Sequence, residues 1–201
     1  MQLKAKITLL LILLLTLSCQ QEIKRWDDLY FELATVDNSA STLRFRLDNQ
    51  QLLIPQSRNG YNGQSGQRVI LNYTPLRGDT IKVNQVVDIF TGTVKEHAQP
   101  TLNHDRIWLQ STWVSGGYLN MIIEVEYLEG GHHMELTRNK DTAPGDLYFF
   151  YSREDDPPGY RQKMYLSFSL ETLLEDEEPI DTIQLHLHTH EGIRVMRLQN
   201  R

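Results

Sequence analysis

The chain has 201 residues, 26 acidic side chains against 20 basic ones, and a formal net charge of −6. That balance argues against a nucleic-acid or anionic-membrane surface as partner, because the field of the body repels phosphate. A single cysteine, Cys19, excludes any intramolecular disulfide.

The first element is a leader. Lys4 and Lys6 precede an apolar run of eleven residues from Ile7 to Leu17, broken only by Thr8 and Thr16. A basic start, an apolar run of about 7–15 residues and a small residue before the cut describe a secretory signal. A helix of that length reaches only about 16 Å, against a hydrocarbon core of about 30 Å. Cys19 follows Leu17-Ser18 as in a lipobox, with Thr16 where leucine is usual. Residues 1–18 are therefore expected to be a lipoprotein signal peptide, with Cys19 lipidated; a stray or buried thiol is the alternative. Losing residues 1–18 takes two lysines away and leaves 183 residues with a net charge of −8, which would steer a basic partner.

Beyond the leader the chain reads as strands. Phe45 and Leu47, then Val69, Leu71 and Tyr73, then Ile81 and Val83 alternate with polar neighbours, the period of two of half-buried strands. Ile107 to Leu109, Met121 to Tyr127, Leu147 to Tyr151, Met164 to Leu170 and Ile183 to Leu187 follow suit, and Ile193 to Leu198 extends past a turn at Glu191-Gly192. Turn signals separate them, among them Asn59-Gly60, Arg77-Gly78-Asp79, Ser115-Gly116-Gly117, Glu129-Gly130-Gly131 and Pro157-Pro158-Gly159. None of the seven prolines interrupts these runs. Only Leu170 to Glu178 suggests a turn or two of helix. The fold class is all-β, with a break expected in the polar stretch 96–103, and hence units of 19–99 and 100–201.

Four patterns invite chemistry. His186, His188 and His190 project to one face of a strand and Leu185, Leu187 and Thr189 to the other. Zinc needs three or four ligands, and His132-His133 with Glu135 could supply the rest only from an adjacent strand; the favoured reading is a core face of leucine and a solvent face of histidine, with no metal. Gly60, Gly63 and Gly66 lack the Lys-Ser/Thr and helix of a phosphate cradle and read as a flexible loop. Glu154-Asp155-Asp156 reads as a solvated acidic turn rather than a calcium loop. Trp108, Trp113, Tyr118 and Asn120 gather near a glycine turn, as core seals or as a candidate binding cluster. No Gly-x-Ser-x-Gly elbow or free cysteine supports a nucleophile, so neither a catalytic residue nor a cofactor is expected.

Several stretches together resemble the NigD-like lipoproteins of Bacteroidales-type bacteria: Gly66 to Tyr73, Lys82 to Thr91, Trp113 to Asn120 with its Tyr-Leu-Asn, His132-His133 before Met134-Glu135-Leu136, and Ser167 to Leu170. The resemblance implies a small OB-type barrel followed by an immunoglobulin-like β-sandwich. It brings no catalytic residues, and the bacteriocin-locus association behind the family name implies an immunity role. The expected function is a non-enzymatic lipoprotein, anchored in the outer membrane through the lipid on Cys19, that binds a protein or peptide. The periplasmic face is favoured because Gln20-Gln21-Glu22-Ile23 lacks the acidic run associated with surface export in such bacteria. The alternative is a carbohydrate- or envelope-binding protein using Trp26, Trp108 or Trp113 as a stacking platform. A metal-dependent hydrolase ranks last.

Overall fold

The computed structural model describes residues 29–38, 42–100, 104–139, 141, 143–174 and 180–200. The leader, Cys19 and Trp26 lie outside the described residues. Among those described, no helix is long and apolar enough to cross a membrane.

Five strands make the first unit: β1 (Tyr30–Asp37), β2 (Arg44–Leu47), β3 (Leu52–Pro55), β4 (Arg68–Pro75) and β5 (Thr80–Asp88). They close into a barrel in the order β1-β2-β3-β5-β4, antiparallel except where β3 runs parallel to β5. Alternation explains the closure. Val36, Phe45, Leu47, Leu53, Val69, Leu71, Tyr73, Ile81 and Val83 all point into one core. Burying each large apolar side chain contributes about 1.5–3 kcal/mol. Pro55 and Pro75 are terminal residues of β3 and β4, where a missing N–H costs little.

The second unit contains β6 (Phe90–Glu96), β7 (Trp108–Ser115), β8 (Tyr118–Tyr127), β9 (His133–Arg138), β10 (Asp146–Ser152), β11 (Tyr160–Ser169), β12 (Thr182–Thr189) and β13 (Gly192–Gln199), with one short helix, α1 (Glu171–Leu174). The sheet order is β13-β12-β10-β9-β6-β11-β8-β7. It folds over a single core, in which Leu119, Met121 and Ile123 of β8 meet Leu147 and Phe149 of β10 and Leu185 and Leu187 of β12. A seam joins β12 to the residue before β7. Ile107 bridges to Thr189, donating to the His188 carbonyl and accepting from the His190 N–H, both at 3.1 Å. β13 stays outside the seam. The all-β reading therefore holds, as a barrel followed by a sandwich.

The crossover differs from the expected break. β5 ends at Asp88 and β6, already in the sandwich sheet, starts at Phe90, so the chain changes unit at Ile89 and not near Pro100. The stretch 96–103 reads as a linker because it is polar, but both β6 and β7, which flank it in the chain, belong to the second unit. The true crossover is held tightly and carries no compositional mark. The Ile89 N–H donates to the Arg68 carbonyl at 3.1 Å, and Gln67 Nε2 donates to the Ile89 carbonyl at 2.8 Å.

Candidate functional site

The aromatic corner divides into two places. Gly116 and Gly117, with φ of 61° and 81°, make the two-residue turn between β7 and β8, a conformation that glycine adopts without strain. The turn presses against the barrel so closely that a Cβ on Gly116 would lie 2.6 Å from Asp48 Oδ1. Beneath it, Arg68 of β4 is fully buried. Its Nη1 donates to Asp48 Oδ1 at 2.7 Å and Thr35 Oγ1 at 3.1 Å, and its Nη2 donates to Asn120 Oδ1 at 3.3 Å. The guanidinium sits 4.3 Å over the Tyr118 ring. Ser167 Oγ donates to Asn120 Oδ1 at 2.6 Å, and Ser115 Oγ to Asp48 Oδ2 at 2.5 Å. Trp113 Nε1 and Asn120 Nδ2 both donate to Ser115 Oγ, at 3.1 Å and 3.0 Å. Tyr118 and Asn120 thus belong to a buried polar joint between the two units.

Above the joint opens a groove of about 420 Å³ with walls from both units: Phe31, Leu33 and Leu47 of the barrel and Trp113 of the sandwich, with Glu32, Asp48 and Asn49 alongside. Phe31 is 65% exposed. Glu32 accepts from the Tyr73 hydroxyl at 2.5 Å, which, after burial itself, holds the Tyr73 phenol protonated far above its usual range.

Trp108 lies elsewhere, at the far end of β7. The His190 ring stacks on it at 3.6 Å and 8°, and Arg161 lies 3.9 Å over it. Burial lowers the His190 pKa, with Arg106 and Arg161 adding to the effect and Glu126 opposing it. The three histidines do face away from the leucines of β12, but they are not simply wet. His186 and His188 are half-buried; His186 stacks on Tyr148 at 4.4 Å, and His188 Nδ1 meets the His104 carbonyl at 2.7 Å. β10 separates β9 from β12, so His132, His133 and Glu135 do not stand beside the ribbon. Among the described residues no group of three or more His, Cys, Asp or Glu is arranged to hold a metal.

The acidic turn is also not what its composition suggests. Glu154 and Asp155 are exposed, but Asp156 is buried. Its carboxylate accepts from the N–H groups of Leu128, Glu129 and Gly130 at 2.8–3.1 Å and contacts His132 Nε2 at 3.0 Å. The backbone donor Leu128, then His132, hold that carboxyl well below the usual range. The Tyr151 hydroxyl meets His132 Nδ1 at 2.9 Å. A Tyr–His–Asp array can relay protons, but the His132 side chain is only 2% exposed; here it clamps the β8–β9 turn to the loop before β11. The loop holding Gly60, Gly63 and Gly66 is pinned as well, since Tyr61 donates to Asp88 Oδ1 at 2.7 Å and packs 6.0 Å from Phe45. The partners of Arg68, Asp48 and Asp156 lie 20 to 99 residues apart in sequence, beyond any local pattern.

A model of the NigD-like N-terminal OB domain matches residues 33–93, and one of the NigD-like C-terminal beta sandwich domain matches residues 91–199. The two meet where β6 begins. No curated protein matches the chain. Among solved structures, a candidate toxin-related protein from Parabacteroides distasonis is 24% identical with a TM-score of 0.77, covering 87% of this chain and 94% of its own. A NigD-like immunity protein from Bacteroides caccae is 18% identical with a TM-score of 0.60, covering 84% and 90%. A candidate lipoprotein from Bacteroides fragilis is 13% identical with a TM-score of 0.67, covering 86% and 98%. At these identities the likeness concerns the fold.

Proposed function

The chain belongs to the NigD-like family, and on that premise we propose that it is a lipid-anchored, non-enzymatic protein that binds a protein or peptide and serves in bacteriocin immunity. It would act from the periplasmic face of the outer membrane, held there by acyl chains on Cys19. The observation that carries the binding role is the groove between the units, because Phe31 and Trp113 present apolar surface on walls fixed by the Arg68 joint. A preformed groove spends little binding energy on ordering. The Ser115 hydroxyl, bonded to the groove residues Trp113 and Asp48, meets a carboxylate and not a histidine base, which favours recognition over nucleophilic chemistry. The immunity protein among the structural relatives supports the biological setting. For the carbohydrate alternative Trp108 offers little, since His190 and Arg161 already occupy its ring.

The test is genetic. Deleting the gene should sensitise cells to a bacteriocin made by the same strain or a neighbour. The body on an unrelated lipoprotein signal should restore resistance, the body freed of lipid should restore less, and Trp113→Ala should weaken rescue. An unchanged killing curve in the deletion strain would defeat the immunity reading. Turnover of a substrate by the purified protein would defeat the non-enzymatic one.

A further inference from the structure

The sandwich sheet has two margins, and they differ. β7 slips register between Leu109 and Ser111, and such a bulge twists an edge away from new partners; the residue before it, Ile107, is sealed to Thr189. β13 has neither protection. Its register with β12 is continuous from Thr182↔Gln199 to Thr189↔Gly192. It contains no proline, and no strand lies on its other side among the described residues. Its side chains Ile193 and Val195 are 66% and 51% exposed. Continuous edges with exposed apolar side chains are templates for another strand, and folded proteins usually blunt them, here only through the charges of Arg194 and Arg197.

The backbone of β13 is open at the same residues. In an antiparallel ladder, residues that exchange hydrogen bonds with the partner alternate with residues that do not. Asn200 N donates to the Asp181 carbonyl at 2.9 Å, which sets the parity. Gly192, Arg194, Met196 and Leu198 therefore bond inward to β12, and Met196 and Leu198 pack on the core. Ile193, Val195, Arg197 and Gln199 turn their N–H and C=O groups away from the sheet, and these same residues are exposed.

Charge selects the occupant. Residues 192–201 carry three arginines and no acid, in a chain of net charge −6. Arg194 is paired with Glu191 at 3.3 Å. Arg197 makes no ion pair among the described residues and borders an open depression of about 610 Å³ beside Gln184, Gln199 and Asp146, whose carboxylate already accepts from Gln184 Nε2 at 3.0 Å. Two copies pairing through β13 would gather both Arg194 and both Arg197 side chains along one short ladder, and like charges brought together across a ladder are destabilising. We propose that β13 is a strand-addition site for an extended segment of a protein partner, apolar at alternate positions and carrying carboxylates that meet Arg197. This rests on the reading that the chain binds a protein or peptide and deepens it by naming the place and the mode. It also departs from the basic partner expected of the net charge, because contact chemistry at a strand is set by local charge.

The probe is an end-blocked eight-residue peptide alternating valine with glutamate, compared with its lysine counterpart, on the mature lipidated chain in detergent. Hydrogen–deuterium exchange across residues 192–199 should slow with the glutamate peptide and not with the lysine one. Val195→Pro should abolish that protection. Its N–H points outward, so proline is tolerated there, and an unchanged unfolding midpoint would verify the fold. Arg197→Glu should reverse the preference toward the lysine peptide and serves if the proline variant misfolds. No slowing with either peptide, or equal slowing with both, would overturn the proposal. So would protection that grows with protein concentration alone, which would assign the edge to a second copy. Resistance that survives Val195→Pro and Arg197→Glu, with no peptide protection, sinks the strand site and leaves the binder. An unchanged killing curve in the deletion strain, with β13 protection intact, sinks the immunity reading and leaves the site.

Discussion

Replacing Arg68 with methionine removes the guanidinium from the joint and keeps much of its length and apolar volume. The variant loses bonds to Asp48 at 2.7 Å, Thr35 at 3.1 Å, Asn120 at 3.3 Å and, from Nε, Ser167 Oγ at 3.5 Å, and the contact with Tyr118 at 4.3 Å. Breaking a buried ion pair by removing one partner costs about 3–5 kcal/mol, because the other charge is left uncompensated. Three facts place the expected loss at the lower end. The Asp48 side chain is 20% exposed, so water screens part of its charge, and it keeps the bond from Ser115 Oγ. Asn120 and Ser167 still satisfy each other at 2.6 Å. The expected loss is about 3 kcal/mol in urea unfolding followed by far-ultraviolet circular dichroism. Asp48→Asn in the Arg68→Met background should recover part of that loss, since it removes the uncompensated charge. The joint is shared by both units, so the variant should also unfold with the barrel and sandwich transitions further apart. A loss below about 1 kcal/mol, the range of exposed ion pairs, would refute the claim that Arg68 couples the units.

Asp156→Asn should lower the urea midpoint at neutral pH. The folded carboxyl titrates below its ordinary value, so its contribution is present above about pH 4 and is lost as the pH falls through the folded value; melts at pH 7 and pH 3 should show variant and wild type converging in acid. Tryptophan emission should change on protonation of His190 with a midpoint below the ordinary 6.5, and the step should vanish in His190→Gln. Changing His186, His188 and His190 together to glutamine should cost about 1–2 kcal/mol and not the few tenths of a wholly exposed face, because a hydrogen bond and two ring stacks go with them; chemical denaturation decides. Cys19→Ala should abolish membrane retention, since stable anchoring needs more than one acyl chain, and unchanged detergent partitioning would contradict it.

The strands that alternation reveals most readily are those with several large apolar residues on one face, such as β4, β8 and β12. Those that escape it are β1, β3, β6 and β9. In β6 only Val94 is buried, with Gly92 under the Phe168 ring where a Cβ would lie 2.7 Å from a ring carbon. In β1 the inward residues Ala34 and Val36 are small, and the bulky Tyr30 and Phe31 stay exposed. The periodic signal weakens wherever a strand is packed by its neighbours more than by its own side chains. The corner cluster was legible as a place, because a Gly-Gly turn between aromatics marks a hairpin. Its division was not: Arg68 and Ser167 lie 99 residues apart, and no spacing within β7 or β8 announces that Asn120 will meet a barrel arginine. Asp156 misleads for the opposite reason. It sits in an acidic run, yet three backbone N–H groups and His132 make burial affordable for its charge.

A buried charge at the joint is a poor device for stability alone, since desolvation consumes much of its Coulombic gain and a well-packed apolar pair of similar volume often does as well. What Arg68 supplies and an apolar side chain does not is direction: its fork reaches Asp48 of the barrel and Asn120 of the sandwich at once. That fixes how Phe31 and Trp113 face each other across the groove. β13 belongs to the sandwich alone, outside the seam at Ile107, and takes no part in the joint. The two surfaces should therefore respond separately. At temperatures where Arg68→Met remains folded, a ligand that needs both walls of the groove loses affinity, whereas strand addition along residues 192–199 proceeds as in the wild type. Parallel loss of both would mean that Arg68 holds up the whole fold and orients nothing in particular.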